Sequence, residues 1–145
     1  MSDVTATVIP VEVRFRDLDA YGHVNNSVFL TYLEQARIKI LGDYFSLDGD
    51  GAETAFVMKR VECEFKRPIN LRETIYVRMW VHEKRRASFT ISYELIDGDG
   101  RVYATAATVL VAIDAGSGRP AAIPDWFDEA VEQGAARYGE TPDKG

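Results

Sequence analysis

Ten consecutive positions, DLDAYGHVNN, hold most of the residues in this chain that could do chemistry. They are Asp17, Asp19, Tyr21, Gly22, His23, Asn25 and Asn26, and they stand just ahead of a long apolar run. If that run is a helix, its first turn presents free N–H groups and a partial positive charge. Such groups can hold an oxygen that turns negative in a transition state. A carboxylate a few residues upstream could then attack a carbonyl held there, or activate a water to attack it. Carboxylates are weak nucleophiles and weak bases, so the substrate must be reactive. A thioester fits: its thiolate leaves with a conjugate-acid pKa near about 8.5 and needs little help from a general acid. An amide would need such an acid, and none is visible. Asp17 and Asp19 both qualify for the role. Both also read as ordinary turn and capping residues, which aspartates very often are.

The elements that must position this turn follow from periodicity. Val11, Val13 and Phe15 alternate with Glu12, Arg14 and Arg16, which predicts a half-buried strand over 11–16. Asn25 or Asn26 is a natural helix N-cap. Phe29, Leu33, Ala36 and Ile40 then repeat at helical spacing, with Val28, Leu30, Tyr32, Ile38 and Leu41 widening the stripe. The spacing predicts a helix over 26–41, about 24 Å long at 1.5 Å per residue. Gly42 is placed to end it. A helix apolar over most of its circumference is expected to be enclosed.

A glycine-bearing loop follows (43–53), read as a mobile flap. Its D-G-D-G run lacks the spaced ligands of a calcium loop. Four strand patterns come next. In 55–65, Val57, Val61, Cys63 and Phe65 are expected on one face, with Lys59 the exception. In 74–84, Ile75, Val77, Met79 and Val81 alternate with Tyr76, Arg78, Trp80 and His82. In 87–97, Phe89, Ile91, Tyr93 and Leu95 alternate with polar residues. The run 101–114 is apolar on both faces, as a central strand would be. Asp97-Gly98-Asp99-Gly100 is a hairpin signal. Ile123, Trp126, Phe127, Ala130 and Val131 make a short amphipathic helix opened by Pro124 and Asp125, and 140–145 reads as a disordered tail. The expected architecture is α+β: one long helix against a curved antiparallel sheet of about five strands, a single domain over 1–145.

With 145 residues, 46% hydrophobic and 28% charged, the chain has the composition of a soluble domain. Its net charge of −6 argues against general nucleic-acid binding. No apolar run reaches the roughly 20 residues of a membrane span. No secretory signal is visible, and the single cysteine, Cys63, reads as a core residue. A cytoplasmic protein fits best. There is no G-x-S-x-G elbow, no phosphate-binding or dinucleotide loop, and no Cys/His metal cluster. Neither a metal site nor a bound cofactor is expected.

The stretch FRDLDAYGHVNNSVFLTYLEQAR resembles the acyl-CoA thioesterases of the 4-hydroxybenzoyl-CoA thioesterase group, in the hotdog superfamily. The D-x-D-x-x-G-H-V-N-N run followed by L-E-x-A-R carries that resemblance. The basic turn Lys84-Arg85-Arg86 and the closing Arg119-Pro segment extend it over most of the chain. The resemblance implies the hotdog fold and hydrolysis of acyl-CoA to free acid and CoA. It implies that Asp19, the second aspartate of D-x-D, is the catalytic carboxylate. The backbone N–H polarising the thioester carbonyl would be that of Asn26, with Asn25 beside it. Asp17 would orient the turn, Gly22 would permit its tight backbone, and Tyr21, His23 and Asn25 would shape the substrate pocket. Arg85 and Arg86 would meet the phosphates of CoA, which enters as part of the substrate. Lys59, Arg60, Lys66 and Arg67 are weaker candidates. A homodimer or homotetramer is implied, with CoA bound across a subunit interface.

Three other readings compete. A hotdog hydratase or dehydratase would pair Asp19 with His23. A non-catalytic acyl-CoA-binding module would do without the carboxylate. A metal-binding D-x-D for phosphoryl transfer would need a different preceding strand. Pocket size is expected to depend on Tyr21, Phe29, Tyr32, Phe56 and Met58.

Overall fold

A computed structural model describes residues 6–41 and 54–138. Five strands form one antiparallel sheet: β1 (Ala6–Val11), β2 (Thr54–Phe65), β3 (Ile75–Lys84), β4 (Ser88–Ile96) and β5 (Val102–Asp114), in the order β1-β3-β4-β5-β2. The long helix α1 (Asn26–Leu41) lies across one face, and α2 (Trp126–Tyr138) packs against α1 and β1. This is the hotdog arrangement, and α1 has the bounds its periodicity predicts. Gly42, the 43–53 loop and the 140–145 tail fall outside the described residues.

The core is the layer between α1 and the sheet. Phe29, Tyr32, Leu33, Ala36, Ile40 and Leu41 are the buried residues of α1. They meet Ile9 and Val11 of β1, Ile75 and Val77 of β3, and Phe89, Ile91, Tyr93 and Leu95 of β4. In β5, Ala104, Thr108 and Ala112 are buried on the same face, and their small side chains leave room for the layer above. Burying a side chain such as Leu33 or Ile91 contributes roughly 1.5–3 kcal/mol. One polar cluster interrupts the layer: the Tyr93 and Thr108 hydroxyls share a 2.7 Å hydrogen bond, and Arg37 Nη1 donates to Tyr93 Oη at 3.1 Å. α2 approaches closely at Gly134, where a Cβ would stand 2.9 Å from Ile40 Cδ1.

Three details differ from the sequence reading. The first strand is Ala6–Val11, not 11–16. Its last residue pairs with Ile75, the first residue of β3, so nothing remains for 12–16 to pair with. The chain instead tightens into a 3₁₀ turn, Phe15–Asp17, and Phe15 is 80% exposed. Second, β2 carries a bulge at Lys59: Met58 pairs with Leu110 and Arg60 with Val109, adjacent residues of β5. The extra residue flips the alternation. Phe56, Met58, Val61, Cys63 and Phe65 therefore face inward, and Val57 outward. Third, α1 is covered on one side only. Leu30 and Ile38 remain 37% and 49% exposed because a single sheet cannot surround the helix. Cys63 is partly buried against the core, and burial pushes its thiol pKa up.

Candidate active site

The DLDAYGHVNN segment forms a small hairpin set directly on the N-terminus of α1. Leu18 and Val24 pair as an antiparallel bridge, Asp19 N–H donates to the His23 carbonyl at 2.8 Å, and Gly22 N–H donates to the Asp19 carbonyl at 3.0 Å. Gly22 turns the chain with φ +83°, a conformation glycine adopts without strain. The hairpin is tied outward as well: His23 bridges to Asn70, and Val24 N–H donates to the Ile69 carbonyl at 2.9 Å. These contacts hold it against the loop between β2 and β3.

The two aspartates have opposite environments. Asp17 is 3% exposed. Its Oδ2 accepts from the Tyr32 hydroxyl at 2.7 Å and from Arg14 N–H at 2.9 Å, and Arg14 Nη2 lies 3.6 Å from Oδ1. Its carbonyl accepts from Asn25 N–H at 2.9 Å. Asp17 is a buried tie. Asp19 is exposed to the cleft. Its Oδ1 accepts from Tyr21 N–H at 2.9 Å and, at 3.4 Å, from His23 N–H. No described residue donates to Oδ2. The oxygen free to act is on the second aspartate.

The helix start beside it has one donor left over. Asn25 is the N-cap: its Oδ1 accepts from Ser27 N–H at 2.9 Å, and its carbonyl accepts from Val28 N–H at 2.9 Å. No described residue accepts from Asn26 N–H. Asp19, His23, Val24, Asn26 and Phe29 line one side of an open cleft, and Phe65, Lys66, Arg67 and Pro68 line the other. Phe29 and Phe65 close its floor edge-to-face, with ring centroids 5.0 Å apart. A free carboxylate oxygen and a free helix-start N–H thus share one cleft, floored by aromatic rings. That is what attack on a bound acyl carbonyl requires. Asp19 and His23 meet through the backbone, not as a side-chain pair.

The other expected site residues are placed unevenly. Tyr21 is 86% exposed and is not among the residues that line the cleft. Tyr32 bonds Asp17, and Phe56 packs on Phe89, Trp126 and Phe127, so neither lines the cleft. Arg85 and Arg86 lie at the far end of the sheet. Phe65 stands level with Ala104, Leu95 and Val77, and from there to Lys84 runs roughly 20 Å of strand. Within one chain the basic turn does not reach Asp19. Arg85 pairs with Glu83 at 2.9 Å, and Lys84 with Asp128 at 3.0 Å. The cation that does line the cleft with a loose partner is Lys66, 3.3 Å from Glu64. Arg67 is occupied structurally, by Asp97 at 2.9 Å, by two carbonyls and by the face of Tyr103. Lys66 and Arg67 of this wall read in the sequence only as weaker phosphate contacts and Phe65 only as a strand residue; nothing local placed them beside Asp19. They reach the cleft only because β2 is the edge strand that ends there.

The sequence matches the "Thioesterase-like superfamily" over residues 13–131. The chain belongs to this family. Escherichia coli K12 long-chain acyl-CoA thioesterase FadM is 29% identical over 125 residues, covering 85% of this chain and 95% of FadM. A Thermus thermophilus thioesterase solved with coenzyme A and zinc is 34% identical, covering 86% of this chain and 96% of that one, with a TM-score of 0.73. A Synechocystis 1,4-dihydroxy-2-naphthoyl-CoA thioesterase shares the fold with a TM-score of 0.78 at 20% identity, over 87% of this chain and 95% of that one. The matched span of this thioesterase-family chain includes both aspartates, all of α1 and all of β2 to β5.

Proposed function

We propose that the chain hydrolyses acyl-CoA thioesters to free acid and CoA, with Asp19 as the catalytic carboxylate and Asn26 N–H as the oxyanion donor. The observation that carries this is the pairing in one cleft of a carboxylate oxygen and a helix-start N–H that no described residue engages. Asp19 activates a water to attack the acyl carbonyl, or attacks it directly to form a mixed anhydride that water then hydrolyses. The carbonyl oxygen gains charge at Asn26, and the thiolate of CoA departs. This chemistry draws on a carboxylate and a backbone N–H, with CoA entering as part of the substrate. His23 lines the cleft, Asn25 acts from behind it by capping the helix that presents Asn26 N–H, and Gly22 keeps the turn tight.

The working unit in this proposal is a homodimer or a tetramer of such dimers. β2 is an edge strand of 12 residues whose Val57, Met58, Val61 and Phe65 are 39–48% exposed, a surface that favours covering. Two β2 edges joined antiparallel would reverse one chain against the other. Each Arg85–Arg86 turn would then lie at the end of the sheet where the partner's Asp19 stands. That supplies the phosphate contacts one chain lacks, and arginine forks suit phosphate oxygens. No described helix is long and apolar enough to cross a membrane. A lone cysteine without an internal partner fits the cytoplasm. Thiol release from short, medium and long acyl-CoAs and benzoyl-CoA tests the activity. Turnover of any of them supports it, and binding without release across the panel overturns it.

A further inference from the structure

Asp19 and Asn26 must keep a fixed separation, yet they sit on different pieces of backbone. Asp19 is on the hairpin and Asn26 is on the helix. What joins the two is a closed circuit of bonds. The Tyr32 hydroxyl, on the second turn of α1, donates to Asp17 Oδ2 at 2.7 Å. The Asp17 carbonyl accepts from Asn25 N–H at 2.9 Å, and Asn25 caps the helix that carries Tyr32. Arg14 N–H, donating to the same Oδ2 at 2.9 Å, fixes the incoming chain. Tyr32 is fully buried and Asp17 nearly so, so water cannot stand in for either. Without the hydroxyl, Asp17 keeps its bond from Arg14 N–H, but the hairpin loses its side-chain tie to α1.

We propose that Tyr32 is a positioning residue for the reaction: acting through Asp17, it fixes the Asp19 carboxylate relative to the oxyanion donor at the start of α1. The assignment rests on the thioesterase reading. Tyr32 touches neither the cleft nor the reacting atoms. Its effect is geometric, and misplacing a reacting group by about 1 Å can cost on the order of 100-fold in rate. Burial, reinforced by the hydrogen bond to Asp17, pushes the Tyr32 phenol well above its ordinary pKa. It therefore remains a donor through the whole working pH range and takes no part as a base.

The test is steady-state kinetics on wild type, Tyr32→Phe, Asp17→Asn and the double variant, each assayed well below its own melting temperature. Tyr32→Phe is expected to lower kcat by roughly 10- to 100-fold with KM within about threefold, the mark of a misplaced group rather than lost binding. Asp17→Asn keeps the volume but turns one acceptor into a donor, and is expected to give a similar loss. The double variant should be no slower than the slower single one, because both break one circuit. If wild type turns over and Tyr32→Phe keeps kcat within twofold, the proposal fails, whatever happens to the melting temperature. Strictly additive losses also defeat it. If Tyr32→Phe does not fold, Asp17→Asn decides by the same kcat criterion. If wild type releases no thiol at all, the thioesterase reading fails instead.

Discussion

The Asp19 carboxylate accepts a 2.9 Å hydrogen bond from Tyr21 N–H through Oδ1. The bond spends one carboxylate oxygen on the turn and leaves the other without a donor among the described residues. A carboxylate tethered by one oxygen loses rotational freedom before the substrate arrives, which is a large part of what positioning contributes to catalysis. The tether comes from backbone, so no side-chain substitution at Tyr21 removes it. Tyr21→Ala is therefore expected to leave kcat within about threefold of wild type. A loss of 100-fold in steady-state turnover would mean that the exposed ring does work that this chain alone does not display.

Gly22 holds φ +83° with no atom within 4 Å of where a Cβ would stand. A substitution there is conformational and not steric. Gly22→Ala is expected to cost about 1 kcal/mol of stability, read by urea unfolding. It should also lower kcat, since the strain falls on the hairpin that bears Asp19. Unchanged stability would show that the turn relaxes to a different form.

Arg85 and Arg86 stand too far along the sheet to serve Asp19 of the same chain. In the proposed dimer they meet the phosphates of CoA bound at the partner's site. Arg85→Ala/Arg86→Ala is expected to raise KM for acyl-CoA at unchanged kcat, an effect that shrinks as salt rises. KM for a short thioester without phosphates should not move. If both substrates respond equally, the two arginines support the structure rather than the substrate.

Much of this geometry was legible in the chain itself. The apolar stripe Phe29–Leu33–Ala36–Ile40 gave α1 its bounds, and the crowding of Asp, Gly and Asn before it pointed to the candidate site. What the pattern could not show was which residues the sheet leaves unpaired. Val11, Val13 and Phe15 alternate as a strand should, but β3 ends opposite Val11, and pairing is a tertiary property. Lys59 looked like one misplaced polar residue. It is a bulge, and only the register against Leu110 and Val109 reveals the flip of Val57. Tyr32 looked like one more core ring, because nothing local says that its hydroxyl meets a carboxylate fifteen residues earlier. Arg85 and Arg86 read as phosphate contacts across a subunit interface, but their separation from Asp19 within one chain needed the fold, because a sequence carries no distances.

Three buried tyrosines set the alkaline limit of the fold. Burial, followed by a hydrogen bond to Asp17 or Glu73, raises the phenols of Tyr32 and Tyr103, and burial alone raises Tyr93 against the pull of Arg37. A phenol raised in the folded state ionises first in the unfolded chain. The stability it contributes is therefore complete below the ordinary value of 10.0 and is lost as pH climbs from there towards the folded values. Melting temperature should be flat with respect to these groups up to about pH 9.5 and then fall. Tyr93→Phe should flatten part of that fall. A melting temperature that stays level to pH 11.5 would show these hydroxyls to be solvated.

In the proposed mechanism Asp19, rather than Asp17, is the carboxylate that acts on the thioester. Free-thiol release across the acyl-CoA panel, for wild type, Asp19→Asn and Asp17→Asn, tests it most directly. Wild type is expected to turn over, folded Asp19→Asn to lose several orders of magnitude, and Asp17→Asn to show the smaller loss of a misplaced turn. Full activity in Asp19→Asn, with the larger loss in a folded Asp17→Asn, would contradict it.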